Sequence, residues 1–112
     1  MHEFSLATEV VNLVGREVEK NRVQSVEEIT IEVGSLSGVE ADAFESALEL
    51  VATGTILDGA HIIIIRKKGR GRCISCELEF EMDQRMDTCP DCFSFPSEVR
   101  GGEEFRVVSF TV

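Results

Sequence analysis

The chain has 112 residues, 43% of them apolar, with 11 basic against 21 acidic side chains and a formal charge of −10. That length buries one modest core, or one core plus a small module held together by other means. The acidic excess repels phosphate backbones and anionic lipid, and the longest unbroken apolar run, residues 62–65, is far too short to cross a bilayer, so nucleic acid and membrane are set aside as partners. Glu3 and Glu9 interrupt any apolar leader at the start, which points to the cytoplasm. Thiols stay reduced there, so the four cysteines are read as metal ligands before disulfides.

In chain order, Phe4, Ala7, Val11, Val14 and Val18 recur at three and four residues, with Leu6, Val10 and Leu13 widening the stripe. This predicts an amphipathic helix over residues 4–20 whose apolar stripe is a core face. In "EEITIEVG", Ile29, Ile31 and Val33 alternate with Thr30 and Glu32, the pattern of a half-buried strand that Gly34 ends. Ser37 stands three residues before Glu40, the spacing of a capping box, and Phe44, Ala47, Leu48 and Val51 form a second helical stripe, ended at Gly54. "HIIIIRKK" is β-branched and continuous, as in a strand covered on both faces, and His61 at its start is read as structural. Five of the eleven basic residues follow in "RKKGRGR", read as a solvated linker because no aromatic residues interleave with it. The tail "EEFRVVSFTV" is a last β-rich run, with Gly101 and Gly102 as the turn before it.

Between those last two strands lie two CxxC pairs, Cys73/Cys76 and Cys89/Cys92, separated by twelve residues. Each pair can curl so that both sulfurs face one point, and two such turns complete a tetrahedron around zinc. Four thiolates fill the coordination sphere, so the zinc is expected to be structural rather than catalytic. A four-thiolate iron centre would use the same ligands. A pair of redox CxxC motifs fits less well, because no βαβ pattern surrounds either. Glu77, Glu79 and Glu81 alternate with Leu78, Phe80 and Met82, giving a hairpin arm with one apolar face. So small a module cannot hold a core alone, and metal binding must fold it.

"MHEFSL" at the start, "IEVGSLSGVE" in the first strand and turn, the CxxC and CPxC pairs, and "GGEEFRV" near the end together resemble the HypA family, nickel metallochaperones for maturation of nickel-iron hydrogenases. The resemblance covers essentially the whole chain. It implies an α+β fold in which two helices pack on a small three-stranded sheet, with a zinc-ribbon-like four-cysteine module inserted before the last strand. On that reading residues 1–68 plus 97–112 form the nickel domain and residues 69–96 the zinc module. It further implies a nickel-handling GTPase and the hydrogenase large subunit as partners, with the chain a monomer or weak dimer. Glu77 and Phe93 depart from the pattern, standing after each CxxC where ribbons often have glycine, which leaves the local turn geometry open.

The resemblance also gives a role to the opening Met1-His2-Glu3. A bulky second residue is expected to block removal of Met1. The amine of Met1 and the amide of His2 would then close one chelate ring on a metal, and that amide with the Nδ1 of His2 a second. Deprotonated amides favour square-planar nitrogen donors, which suits Ni(II) or Cu(II) better than zinc. The Glu3 amide could supply a fourth nitrogen, and the carboxylates of Glu3 or Glu40 could substitute. The expected nickel ligands are thus Met1, His2, Glu3 and Glu40, the last chiefly a capping residue, and the expected zinc ligands are Cys73, Cys76, Cys89 and Cys92. No nucleophile and base pair or open metal site is evident, so no catalytic residues are expected. The rival reading is a zinc-ribbon interaction adaptor in which His2 is idle.

Overall fold

The structure, a computed structural model, describes residues 2–94 and 96–112. It is an α+β fold of two helices and six strands among the described residues: α1 (His2–Lys20), β1 (Glu28–Gly34), α2 (Ala41–Ala52), β2 (His61–Lys67), β3 (Gly69–Cys73), β4 (Glu79–Met82), β5 (Pro96–Gly101) and β6 (Phe105–Thr111). The strands form two three-stranded sheets, ordered β2-β1-β6 and β4-β3-β5. By contacts the chain divides into two compact units, one of residues 1–31, 40–65 and 106–112, the other of residues 32–39 and 66–105. The second unit therefore contains the 69–96 segment together with the loop that follows β1.

In the first unit, α1 buries Ala7, Val10, Val11, Val14 and Val18, and α2 buries Ala41, Phe44, Ala47, Leu48 and Ala52. With Ile29 and Ile31 of β1 they make up most of this core. Helix α1 begins at His2, two residues before the apolar stripe, and Phe4, expected in the core, is 39% exposed. The helix ends in a Schellman motif in which Val23 N donates to Val18 O and Arg22 N to Glu19 O. Arg22 takes the left-handed position that glycine usually fills, at φ 56°.

Three expectations are corrected here. No capping box forms: Ser37 Oγ accepts from Val39 N instead, and the N-cap of α2 is Glu40 itself, whose carboxylate accepts from Ala43 N. The reason is Gly38, whose φ of +83° cannot continue a right-handed helix from Ser37. Secondly, β2 is not covered on both faces. It lies at the sheet edge, Ile62, Ile63 and Ile64 are only partly buried and Ile65 is exposed, and the covered strand is the central β1.

Thirdly, "RKKGRGR" is not a linker. Arg66 and Lys67 belong to β2, and Gly69–Cys73 is the central strand of the second sheet, antiparallel to β4 and to β5. The period-2 alternation is present, but Gly69 and Gly71 occupy buried positions ahead of Cys73, so no aliphatic or aromatic side chain reveals it. A Cβ on Gly69 would stand 2.6 Å from the Leu36 side chain, one on Gly102 2.3 Å from the Gly69 Cα, and one on Gly34 2.0 Å from the Gly102 oxygen. Three backbone segments meet where no Cβ fits. Ser35 fastens the same place, its Oγ accepting from Gly69 N and donating to Met82 O. The cationic side chains of β3 and its approach are answered across the hairpin by the acidic arm, through Lys68–Glu81 at 3.3 Å and Arg72–Glu77 at 3.2 Å.

Candidate metal centres

The four cysteines converge. The sulfurs of Cys73, Cys76, Cys89 and Cys92 all lie within 4.8 Å of one another, with Cys73–Cys92 at 3.3 Å and Cys76–Cys89 at 3.6 Å, and none is in a disulfide. Zinc bonded to sulfur at about 2.3 Å sets tetrahedral edges of roughly 3.8 Å, so the cluster fits such an ion. Two backbone knuckles of the same form build it. In the first, Glu77 N donates to Cys73 O at 2.9 Å and Cys73 N to Leu78 O at 2.9 Å; in the second, Phe93 N donates to Cys89 O at 2.9 Å and Cys89 N to Ser94 O at 2.8 Å. The leading cysteine of each pair is buried and the trailing one exposed. Cys73 and Cys89 complete a small core with Leu36, Phe80 and Met82, against which Val99 packs. Of the apolar face read from Leu78, Phe80 and Met82, Phe80 and Met82 are buried while Leu78 is 37% exposed, and the cluster is finished by Leu36 from the loop after β1 and Val99 from β5.

The thiols divide in their ionisation. Cys92 is drawn down to about 6 by hydrogen bonds from the Ser94 hydroxyl first, then from the Ser94 amide and the Cys73 thiol. At Cys76 the Leu78 amide is the largest influence and lowers the value, but desolvation and hydrogen bonds with the Cys89, Cys73 and Cys92 thiols together outweigh it and push the thiol up to about 12. Four thiols this close cannot all lose their protons unless positive charge replaces them, which a divalent cation supplies.

The turn geometry that the sequence left open is now defined. Glu77 and Phe93 both adopt left-handed backbone, each at φ 63°, the conformation that closes each knuckle. A side chain there costs about 1–2 kcal/mol relative to glycine. Phe93 is 75% exposed and gives little back through packing. Phe93→Gly should therefore stabilise the metal-loaded chain by about 1 kcal/mol, read as a raised thermal midpoint at unchanged zinc content.

At the other candidate site, Met1 lies outside the described residues. His2 opens α1, exposed, with its Nδ1 3.8 Å from Glu3 Oε2, and the same oxygen accepts from Glu40 N at 3.4 Å. The structure thus brings His2, Glu3 and the backbone of Glu40 together, whereas the Glu40 carboxylate is engaged as the cap of α2. Glu40 and Asp42 place negative charge at that helix start, where the dipole favours it. The Glu3 carboxyl is held below its ordinary value of 4.5 by its own amide, by that of Glu40 and by the neighbouring His2. A lowered carboxylate pKa stabilises the fold at higher pH and loses that contribution as pH falls through the folded value. The link from Glu3 to Glu40 is accordingly in place at neutral pH.

Known proteins resemble the chain along its whole length. The family model described as hydrogenase/urease nickel incorporation, metallochaperone, hypA matches residues 1–112. A hydrogenase maturation factor HypA of Geobacter metallireducens is 40% identical over 112 residues, covering 100% of this chain and 99% of the relative. That of Alkalilimnicola ehrlichii is 34% identical over the same length, with the same coverage. A solution structure of the nickel metallochaperone HypA from Helicobacter pylori shares the fold, with a TM-score of 0.64 at 22% identity, covering 97% of this chain and 95% of that one. With the whole chain matched, it belongs to the HypA family of nickel-incorporation metallochaperones, maturation factors for hydrogenases rather than enzymes.

Proposed function

We propose that the chain binds Ni(II) at its first residues and delivers it to the nickel-iron hydrogenase active site during maturation, while zinc held by Cys73, Cys76, Cys89 and Cys92 builds the module carrying them. Residues 1–68 plus 97–112 serve as the nickel domain and residues 69–96 as the zinc module. The reading rests on family membership and, above all, on the start of α1 at His2 beside Glu3. The first amides of a helix have no intrahelical acceptor. The amides of His2 and Glu3 can therefore be given to a metal without breaking a rung of the helix. Met1, His2 and Glu3 supply nitrogen donors, and Glu3 and Glu40 stand by as carboxylates.

A nickel-handling GTPase of the maturation pathway and the hydrogenase large subunit are the proposed donor and acceptor partners, in the cytoplasm. No helix of the described chain is long and apolar enough to cross a membrane, consistent with that setting. A carrier must also release its cargo, and an exposed site at a chain end allows a partner's ligands to approach. The acidic surface, at a formal charge of −10, keeps the chain off nucleic acid.

The test is equilibrium dialysis of the zinc-loaded chain against nickel at several pH values. One nickel per chain should bind near pH 8 and affinity should fall steeply toward about pH 6, because protons compete for imidazole, amine and amide together. Zinc should remain bound over that range. Affinity that stays level from about pH 8 to 6 would rule out the imidazole and amide chelate and favour an adaptor that carries no nickel.

A further inference from the structure

We propose that the tips of the two cysteine knuckles form a docking surface for a partner protein, one that presents an apolar cleft rimmed by arginine and lysine side chains. Ile74 in the first knuckle and Phe93 at the end of the second are 69% and 75% exposed, among the barest large apolar side chains of the described chain. They are neighbours. The Cys73 and Cys92 sulfurs stand 3.3 Å apart on one side of them, and on the other the Ser75 hydroxyl donates to that of Ser94 at 3.4 Å. The fold has no use for either side chain. The knuckle needs only the Phe93 amide, which donates to Cys89 O, and the left-handed backbone at that position favours glycine. The chain nevertheless carries an aromatic ring there, strained at φ 63° and unrewarded by packing. Backbone strain held at an exposed aromatic residue, with no gain to the fold, points to a contact made with another molecule.

Shape and charge choose the occupant. Side chains this exposed protrude, so the concavity that receives them belongs to the other molecule, which must be large enough to hold a cleft. The knuckles, residues 73–77 and 89–93, carry two acidic residues, Glu77 and Asp91, both exposed, and no basic one. Arg72 pairs with Glu77 at 3.2 Å, yet the Glu77 side chain stays 76% exposed. On the zinc reading, four thiolates around one divalent cation leave the centre itself net negative, and two of its sulfurs, those of Cys76 and Cys92, belong to exposed residues. Nucleic acid and anionic lipid are repelled by such a surface. Arginine and lysine of a protein can instead pair with the carboxylates, donate to the exposed sulfurs and lie against the Phe93 ring. The surface lies wholly in the second unit, whereas His2 and Glu3 belong to the first, so docking and nickel transfer use different residues.

The probes are the two proteins proposed above as partners, the nickel-handling GTPase and the hydrogenase large subunit, and their choice rests on that reading. The full-length, zinc-loaded, isotope-labelled chain is titrated with each, and affinity and amide shifts are measured. One of the two should shift or broaden amides within residues 73–77 and 89–94, with affinity that falls as salt is raised. Phe93→Gly and Ile74→Ser should each weaken binding about tenfold at unchanged zinc content, Asp91→Asn should flatten the salt dependence, and Phe93→Tyr should bind like the native chain. Because Phe93→Gly is expected to be the more stable chain, its lost affinity separates a missing contact from a damaged fold. Native binding that neither Phe93→Gly nor Ile74→Ser weakens would overturn the docking surface and leave the partner reading standing. Binding of the native chain by neither protein would overturn both. Uptake of the native chain, but not of Phe93→Gly, onto phosphatidylcholine vesicles would give the patch to lipid and overturn the proposal as well.

Discussion

Replacing Cys73 or Cys92 by serine should strip zinc from the chain and unfold residues 69–96 while leaving much of the helical unit folded. The small unit has little else to hold it. Its buried cluster of Leu36, Cys73, Phe80, Met82 and Cys89 includes two of the four proposed ligands. Structural zinc contributes on the order of 10 kcal/mol in zinc-finger peptides, which exceeds what so few apolar side chains supply. A serine hydroxyl is not a thiolate, and three sulfurs no longer fill the tetrahedron. The first unit has its own core of α1, α2 and the start of β1, and none of the four cysteines belongs to it. Zinc analysis and two-dimensional amide spectra check this: loss of dispersion confined to the second unit is expected. Full zinc content in both single mutants would overturn the ligand assignment.

The parts of this fold that were legible in the sequence are those where apolar side chains mark the buried face. Ala7, Val11, Val14 and Val18 announce α1, Ile29 and Ile31 announce β1, and the CxxC spacing announces a site whose sulfurs do meet. The parts that were not legible depend on contacts invisible to periodicity. Strand β3 hides its buried face behind Gly69 and Gly71, and Arg72 meets Glu77, and Lys68 meets Glu81, only once the hairpin arm is folded alongside. Strand β5 pairs with β3 through two register shifts, which no periodicity in the sequence announces. "HIIIIRKK" reads as a central strand, yet position in the sheet decides burial, and β2 is at the edge. The capping box failed on a single dihedral, that of Gly38. At the N-terminus the bond from Glu40 N to Glu3 Oε2 joins residues thirty-seven positions apart and needed the fold.

His2→Ala and a short Gly-Ser extension ahead of Met1 should each abolish stoichiometric nickel binding. The first removes the imidazole. The second leaves every side chain in place but converts the Met1 amine into a peptide amide, so one tooth of the chelate is lost. Neither change should disturb the fold, because His2 is exposed at the very start of α1 and buries nothing in the core. Bound zinc and the helical spectrum should be unchanged in both, which separates loss of a ligand from loss of structure. The two changes remove different atoms of one chelate, so together they should cost little more than either alone, the non-additivity expected when groups act as a unit. Equilibrium dialysis of the four proteins in a mutant cycle reads this directly. Undiminished nickel affinity in the extended chain would mean that the amine is not a ligand. The site would then be built from side chains, and Glu3, already between His2 and the cap of α2, would be the first to test by Glu3→Gln.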